Sequence, residues 1–181
     1  MTTFVALLRG INVGKAKRVP MAGLRALLSE LGYAGVATLL NSGNAVFRAA
    51  KGAPRRHAAQ IAAAVSTRLN VEVPVIVKSA AELAAIVAEN PLAGKAFDHS
   101  RLLVSFVQDT RALSALEAIG PLVVSPEQFV VGNNAAYCHC PGGILASKAG
   151  GALLGKAGNS ATTRNWRTVL RLHALASEPD A

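Results

Sequence analysis

The sequence predicts an α+β protein made of two ferredoxin-like (α/β-plait) units, the second lacking a regular last strand. Apolar strands and amphipathic helices follow the order β-α-β-β-α-β over residues 1–78, which is the order of the ferredoxin-like fold. Residues 79–181 largely repeat this order. The chain has 181 residues, 51% of them hydrophobic, which is enough for two small cores. We therefore expect a ferredoxin-like domain over residues 1–78 and a second plait-like domain with a C-terminal helix over residues 79–181.

Apolar spacing and turn residues define the elements of the first domain. An apolar run predicts a strand over Thr3–Leu8. Leucines at three- and four-residue spacing predict a helix over Met21–Leu31, with Pro20 at its start and Gly32 at its end. The polar turn Asn41–Asn44 joins two short strands. The elements predicted besides these are strands Val36–Leu40 and Ala45–Arg48, helix Pro54–Leu69 and strand Val71–Val77.

The second domain opens with a capping box. Ser79 precedes Glu82 by three residues, which predicts the start of a helix that extends to Glu89 and stops before Pro91. Helical material is expected at the C-terminus, with a frayed tail at residues 177–181. The elements predicted between these are strand Leu102–Val107, helix Arg111–Ile119, and strands Gln128–Val131 and Ala136–Cys140.

Positive charge is concentrated at the two ends of the chain. Residues 1–71 contain ten lysines and arginines and a single acid, Glu30, whereas residues 72–147 are mildly acidic and residues 148–181 are basic again. The formal net charge is +9. Such asymmetry favours an anionic partner: a nucleotide, a nucleic acid or a phosphorylated metabolite. Routine use of arginine as a solubilising residue explains the same excess equally well.

Cysteine usage and hydropathy indicate a cytoplasmic protein. The chain has two cysteines, Cys138 and Cys140, which favour a reducing compartment over a disulfide framework. No apolar run is long enough to span a bilayer, and the N-terminus lacks the features of a signal peptide. We expect no membrane partner.

The strongest functional signal is the loop that follows the first strand. A continuous apolar run leads directly into a segment with two glycines, an asparagine and several cations, a composition that suits an anion site. The first two strands of this fold run parallel, so the loop and the turn after the second strand lie at the same edge of the sheet. We also expect a positive φ at Gly43. The ligand-binding residues predicted at this edge are Arg9, Gly10, Asn12, Gly14, Lys15, Lys17, Ser42, Gly43 and Asn44, and Arg18 and Asn41 share the same rim.

A second basic segment lies near the C-terminus. The sequence Thr162-Thr163-Arg164-Asn165-Trp166-Arg167 predicts a threonine-capped helix start, whose free N–H groups attract anions. Arg164 adds a full charge there. We include Thr163, Arg164 and Asn165 among the predicted ligand-binding residues.

Several of these segments also occur together in a known family. Ala6–Gly14, the Ser42–Asn44 turn followed by Phe47, Pro141-Gly142 with Ser147-Lys148, and Thr162–Trp166 appear in that order. Together they resemble the bacterial family of unknown function DUF1697. The resemblance implies a pair of α/β-plait domains and no established activity. The chain departs from the family at Cys138-His139-Cys140, where members often carry tyrosines.

Other chemistries have weaker support in the sequence. Cys138 and Cys140 fall on one strand face and His139 on the other, which is a poor start for tetrahedral zinc, so we expect no metal. No nucleophile–base pair is recognisable, and the catalytic residues, the cofactor and the oligomeric state stay unknown. The third strand offers one aromatic residue, Phe47, instead of the spaced pair that RNA-recognition domains use.

These observations favour a binding protein over an enzyme. The leading hypothesis is that the basic Gly/Asn loop binds a phosphate-bearing, nucleotide-like small molecule. One alternative is a nucleic-acid-binding protein that contacts phosphates through its basic N- and C-terminal segments. A further alternative is an enzyme acting on a nucleotide-like substrate.

Overall fold

The computed structural model describes residues 1–178, so that residues 179–181 of the expected tail lie outside it. The chain divides into two compact units. The first unit comprises residues 1–83 together with the chain from Leu172 onward, and the second comprises Ala84–Arg171. Among the described residues, no helix has the length and apolarity that crossing a membrane requires.

The first unit has the predicted ferredoxin-like order. Its four strands form one antiparallel sheet in the order β2-β3-β1-β4, and β1 and β2 run parallel because both are antiparallel to the β3 strand between them. The strand expected over Val71–Val77 begins later in the chain than predicted, because Pro74 has no N–H to donate to a neighbouring strand. The elements are β1 (Thr2–Leu8), α1 (Met21–Glu30), β2 (Ala34–Leu39), β3 (Asn44–Ala49), α2 (Pro54–Leu69) and β4 (Val75–Ser79).

Strand alternation places the core of this unit on the face covered by α1 and α2. Phe4, Leu8 and Phe47 project from β1 and β3 into this core, and α1 and α2 contribute Leu24 and Ile61, which are fully buried. Each of these side chains removes enough apolar area from water to stabilise the unit by about 1.5–3 kcal/mol. The packed core fixes the ends of β1 and β3, and therefore the loops that leave them.

The second unit also has four strands, so the expectation that it lacks a regular last strand was wrong. Its sheet has the order β6-β7-β5-β8, and β8 pairs with β5 from Ala161 to Asn165. The β-branched Thr162 and Thr163 suit a strand, and pairing with a central strand overrides their capping tendency. The elements that follow β4 along the chain are α3 (Ala80–Glu89), β5 (Leu102–Val107), α4 (Leu113–Leu116), β6 (Gln128–Val131), β7 (Ala135–His139), α5 (Lys148–Leu154), β8 (Ala161–Asn165) and α6 (Trp166–Ser177), and the division between the two units falls within α3 and within α6.

The helix expected over Arg111–Ile119 is shorter than predicted. Only α4 is α-helical, and 3₁₀ turns over Thr110–Ala112 and Glu117–Leu122 flank it. Pro121 lies in the second turn, where a proline cannot donate the hydrogen bond that an α-helix needs. The capping box at the start of α3 is confirmed, because Ser79 Oγ accepts from the Glu82 N–H and Glu82 accepts from the Ser79 N–H.

A single carboxylate connects α3 to the hairpin turn between β6 and β7. Glu89 Oε1 accepts from the Asn133 N–H at 2.6 Å, and its Oε2 accepts from the Asn134 N–H and the Tyr137 hydroxyl. The same hydroxyl lies 2.7 Å from the Ile86 carbonyl oxygen. Burial alone would raise the pKa of Glu89, but the hydrogen bonds from Asn133, Asn134 and Tyr137 outweigh it and hold that pKa below its ordinary value.

We predict that Glu89→Gln destabilises the protein by about 1–3 kcal/mol, because the amide cannot accept all of these hydrogen bonds. Since the pKa of Glu89 is lowered in the folded state, its contribution is present above the ordinary glutamate pKa of about 4.3 and is lost as the pH falls through the lowered value. Denaturant unfolding between about pH 6 and pH 3 should therefore show a smaller pH dependence in Glu89→Gln than in wild type. The exposed control Glu117→Gln should behave as wild type; equal pH profiles for all three proteins would contradict this role of Glu89.

Candidate functional site

The loop between β1 and α1 is closed by the side chain of Asn12. Its Nδ2 donates to the Val19 carbonyl oxygen at 2.9 Å, and its Oδ1 accepts from the Val19 N–H at 2.9 Å. Nδ2 also donates to the Asn41 carbonyl oxygen at 2.7 Å. The predicted meeting of the loop and the β2–β3 turn is therefore confirmed. The amide of Asn12 serves this closure, so its side chain positions the loop.

The β2–β3 turn is held against the end of β1. The Leu8 N–H donates to the Gly43 carbonyl oxygen at 2.8 Å, and the buried Asn44 donates to the Leu39 carbonyl oxygen and to Ser42 Oγ. Gly43 has a φ of +80°, as predicted. A Cβ at this position would lie 2.7 Å from Leu8 Cβ, which is why the turn needs a glycine here.

A pocket of about 270 Å³ opens where the loop, the turn and α1 meet. Its lining includes Asn12, Arg18 and Asn41 together with Pro20 and Met21 at the start of α1. The first turn of α1 has no side-chain cap and no acidic residue. The N–H groups of an uncapped first turn attract negative charge. Among the described residues that line the pocket, none is acidic.

Backbone strain is concentrated around this pocket. Four non-glycine residues in the described part of the chain have a positive φ, and three of them, Asn12, Lys17 and Leu40, lie in the loop or beside the turn. A left-handed leucine is costlier than a left-handed asparagine, because the larger side chain has no local hydrogen bond to offset the clash. Strained residues of this kind cluster at functional sites.

The other residues predicted on this loop differ in exposure. Gly14, Lys15 and Lys17 are exposed, and Gly10 has a φ of +67°. Arg9 is half-buried, and this burial lowers the pKa of its side chain. The backbone N–H of Arg9 donates to the Pro74 carbonyl oxygen. The cations that solvent reaches most easily are therefore Lys15, Lys17 and Arg18.

Thr163, Arg164 and Asn165 lie on β8, where the sequence predicted a helix start. Asn165, and not a threonine, caps α6, since its Oδ1 accepts from the Thr168 N–H at 2.9 Å. The Thr163 and Ser105 hydroxyls lie 2.8 Å apart. The Arg164 guanidinium donates to Thr162 Oγ1 and to the Thr163 carbonyl oxygen, and burial lowers the pKa of Arg164 to about 10.

The thiols of Cys138 and Cys140 lie 3.4 Å apart in the core of the second unit. Among the described residues, no group of three or more histidines, cysteines and acids is placed to hold a metal ion.

Pro20 and Met21 were not singled out by the sequence analysis as lining residues of the candidate pocket. The sequence did contain a signal for them, because Arg18 precedes the start of α1 and the first turn of this helix contains no acidic residue.

Comparisons with known proteins agree with the fold. The sequence profile of a family described as a protein of unknown function (DUF1697) matches residues 1–137. No curated protein matches the chain. Among solved structures, the conserved bacterial protein SP0830 from Streptococcus pneumoniae is 23% identical, with a TM-score of 0.76 over 97% of this chain and 99% of that one. This likeness confirms the α+β fold of two ferredoxin-like units.

We predict that Gly43→Ala destabilises the protein by about 2–4 kcal/mol, because its Cβ adds a clash with Leu8 to the left-handed backbone strain. Gly14→Ala is the matched control. Gly14 has a φ of +61°, and a Cβ there would meet nothing within 4 Å. This variant should therefore be destabilised only by the strain of a left-handed alanine backbone, about 1 kcal/mol. Thermal or denaturant unfolding measures both, and equal losses would contradict the close approach of the turn to β1.

Proposed function

This chain belongs to the DUF1697 family of proteins of unknown function, and we propose that it binds a phosphate-bearing small molecule of nucleotide type. The proposed site is the pocket between Arg18, the Asn12–Asn41 contact and the start of α1. The observation that carries the proposal is the convergence of a cationic side chain and an uncapped helix start on one pocket. Both favour a phosphate, the first by charge and the second through its N–H groups.

The electrostatics of the loop support an anion over a neutral ligand. Lys15, Lys17 and Arg18 are exposed on the same short segment, and they repel one another unless a counter-charge is bound. The Asn12 side chain holds this segment in a strained form, so little ordering is left for a ligand to impose. A preorganised site of this kind loses less entropy on binding.

The size of the pocket supports a small ligand. Its volume of about 270 Å³ is just below the usual range for ligand pockets, about 300–1,000 Å³. The described lining offers no carboxylate, imidazole or thiol to act as a base or nucleophile. We therefore propose binding, with no chemical step assigned to this pocket. A cytoplasmic location, where phosphorylated metabolites are abundant and Cys138 and Cys140 stay as free thiols, is part of the same proposal.

We predict that Arg18→Gln weakens binding of adenosine monophosphate at least ten-fold, since a charge-assisted hydrogen bond contributes about 1.5–3 kcal/mol. Arg171→Gln, which removes an exposed charge from α6, is the matched control and should bind as wild type. Isothermal titration calorimetry measures both, with adenosine as the ligand that lacks the phosphate. Adenosine binding as tightly as adenosine monophosphate, or no effect of Arg18→Gln, would refute the site.

The salt dependence of binding distinguishes a nucleotide from a nucleic acid. A nucleotide releases few counterions, so we expect its affinity to fall only modestly between 50 and 200 mM salt, whereas a contact with six or more phosphates loses about a thousand-fold. We expect a single-stranded oligonucleotide to bind no more tightly than the mononucleotide. A steep salt slope with tight oligonucleotide binding would favour the nucleic-acid alternative over the one proposed.

A further inference from the structure

The loop between β1 and α1 carries more positive charge than its pocket uses. Arg18 lines the pocket, whereas Lys15 and Lys17, which are exposed on the same loop, are not among the lining residues. The function proposed above places a phosphate against Arg18 and gives the two lysines no contact with it. Their charge therefore indicates what else the ligand carries.

A hydrogen bond within the loop keeps the two lysines near Arg18. The Asn12 N–H donates to the Lys17 carbonyl oxygen at 3.0 Å, which closes the loop. Lys17 directly precedes Arg18, and even a fully extended segment would keep the Cα atoms of Lys15 and Arg18 within about 11 Å. The segment includes a turn at Gly14 and Lys15, which shortens this separation. Since exposed charges are largely screened only beyond about 8–10 Å at physiological salt, all three cations act on one ligand.

A single phosphate does not use the charge that this loop offers. A phosphate monoester carries a charge of about −1.5 to −2 at pH 7. Arg18 supplies a full positive charge and the start of α1 about half of one, and together they match most of the charge of the monoester. The charges of Lys15 and Lys17 are then left unmatched. A second phosphate linked to the first would supply the negative charge that these lysines attract.

The side-chain amides of the site are not available to recognise a nucleobase by donating to it. An amide NH₂ group has two N–H donors. Those of Asn12 are used by the Val19 and Asn41 carbonyl oxygens, and those of Asn44 are used within the β2–β3 turn. Among the described residues that line the pocket, none is aromatic, so none offers a ring on which a base could stack. These contacts favour recognition of phosphates, which all nucleotides share.

We propose that the ligand of this pocket is a nucleoside diphosphate or triphosphate that is recognised by its phosphate chain. One phosphate contacts Arg18 and the N–H groups at the start of α1, and the adjoining phosphate contacts Lys15 and Lys17. The apolar lining residues Pro20 and Met21 offer surface to the nucleoside without distinguishing one base from another. This inference rests on the function proposed above, because it adds a second phosphate to a ligand of the same pocket.

Isothermal titration calorimetry in a buffer without divalent cations tests the proposal. We expect adenosine diphosphate to bind at least ten-fold more tightly than adenosine monophosphate, because its second phosphate contacts the two lysines. Guanosine diphosphate should bind within three-fold of adenosine diphosphate, because the base is not recognised. Inorganic pyrophosphate distinguishes a nucleotide from a free phosphate chain; we expect it to bind more tightly than adenosine monophosphate and less tightly than adenosine diphosphate.

Lysine variants locate the second phosphate. Lys15→Gln and Lys17→Gln should each lower the ratio of the affinity for adenosine diphosphate to the affinity for adenosine monophosphate at least three-fold. Lys51→Gln is the matched control, because it removes the same charge from an exposed lysine that follows β3 at the opposite end of this strand from the β2–β3 turn. It should leave the ratio unchanged.

Arg18→Gln separates this inference from the function on which it rests. If the substitution weakens binding of both nucleotides but adenosine diphosphate binds no more tightly than adenosine monophosphate, the phosphate-chain proposal is wrong and the proposed function stands. If Arg18→Gln changes neither affinity, the proposed function fails as well.

Three further results would overturn the phosphate-chain proposal. The first is an equal effect of Lys51→Gln and Lys15→Gln on the affinity ratio, which would show attraction to the whole basic surface. The second is a difference of ten-fold or more between guanosine and adenosine diphosphate, which would show recognition of the base. The third is tighter binding of pyrophosphate than of adenosine diphosphate, which would exclude a nucleotide as the preferred ligand.

Discussion

The candidate site depends on one side chain, the amide of Asn12. Through three hydrogen bonds it joins the β1–α1 loop to Val19, just before α1, and to the Asn41 carbonyl of the neighbouring turn. The loop could otherwise adopt many conformations, since Gly10 and Gly14 leave its backbone permissive. Ordering it costs about 1–2 kcal/mol of conformational entropy per residue. The amide offsets part of this cost and holds Arg18 beside the start of α1.

The second unit uses a carboxylate in a comparable way. Glu89 receives N–H groups from the turn between β6 and β7, as Asn12 in the first unit bonds to the backbone of the turn between β2 and β3. In each case one polar side chain satisfies backbone groups that have no partner in a strand ladder. The chemical difference matters: the carboxylate adds a negative charge to its turn, whereas the amide adds none and leaves the loop cationic.

Apolar periodicity and turn residues predicted most of the fold, whereas partners distant in the chain decided the rest. Helix Pro54–Leu69 has the predicted bounds. Strand β8 was missed, since Thr162 and Thr163 suit both a cap and a strand, and pairing with β5 decides between them. Strand direction correctly placed the β1–α1 loop and the β2–β3 turn at one edge of the sheet. The role of Asn12 was not predictable, because an asparagine that contacts a ligand and one that closes a loop look the same in a sequence.

The distribution of acids explains why anions are the ligands proposed for the first unit. Glu30 is the one acid in residues 1–71, and it forms an ion pair with Arg68 at 2.7 Å on the exposed surface. Neither residue lines the pocket beside Arg18. Glu72, the next acid along the chain, is hydrogen-bonded to Ser66. The exposed cations of the β1–α1 loop, Lys15, Lys17 and Arg18, therefore keep a positive potential that an incoming anion can neutralise.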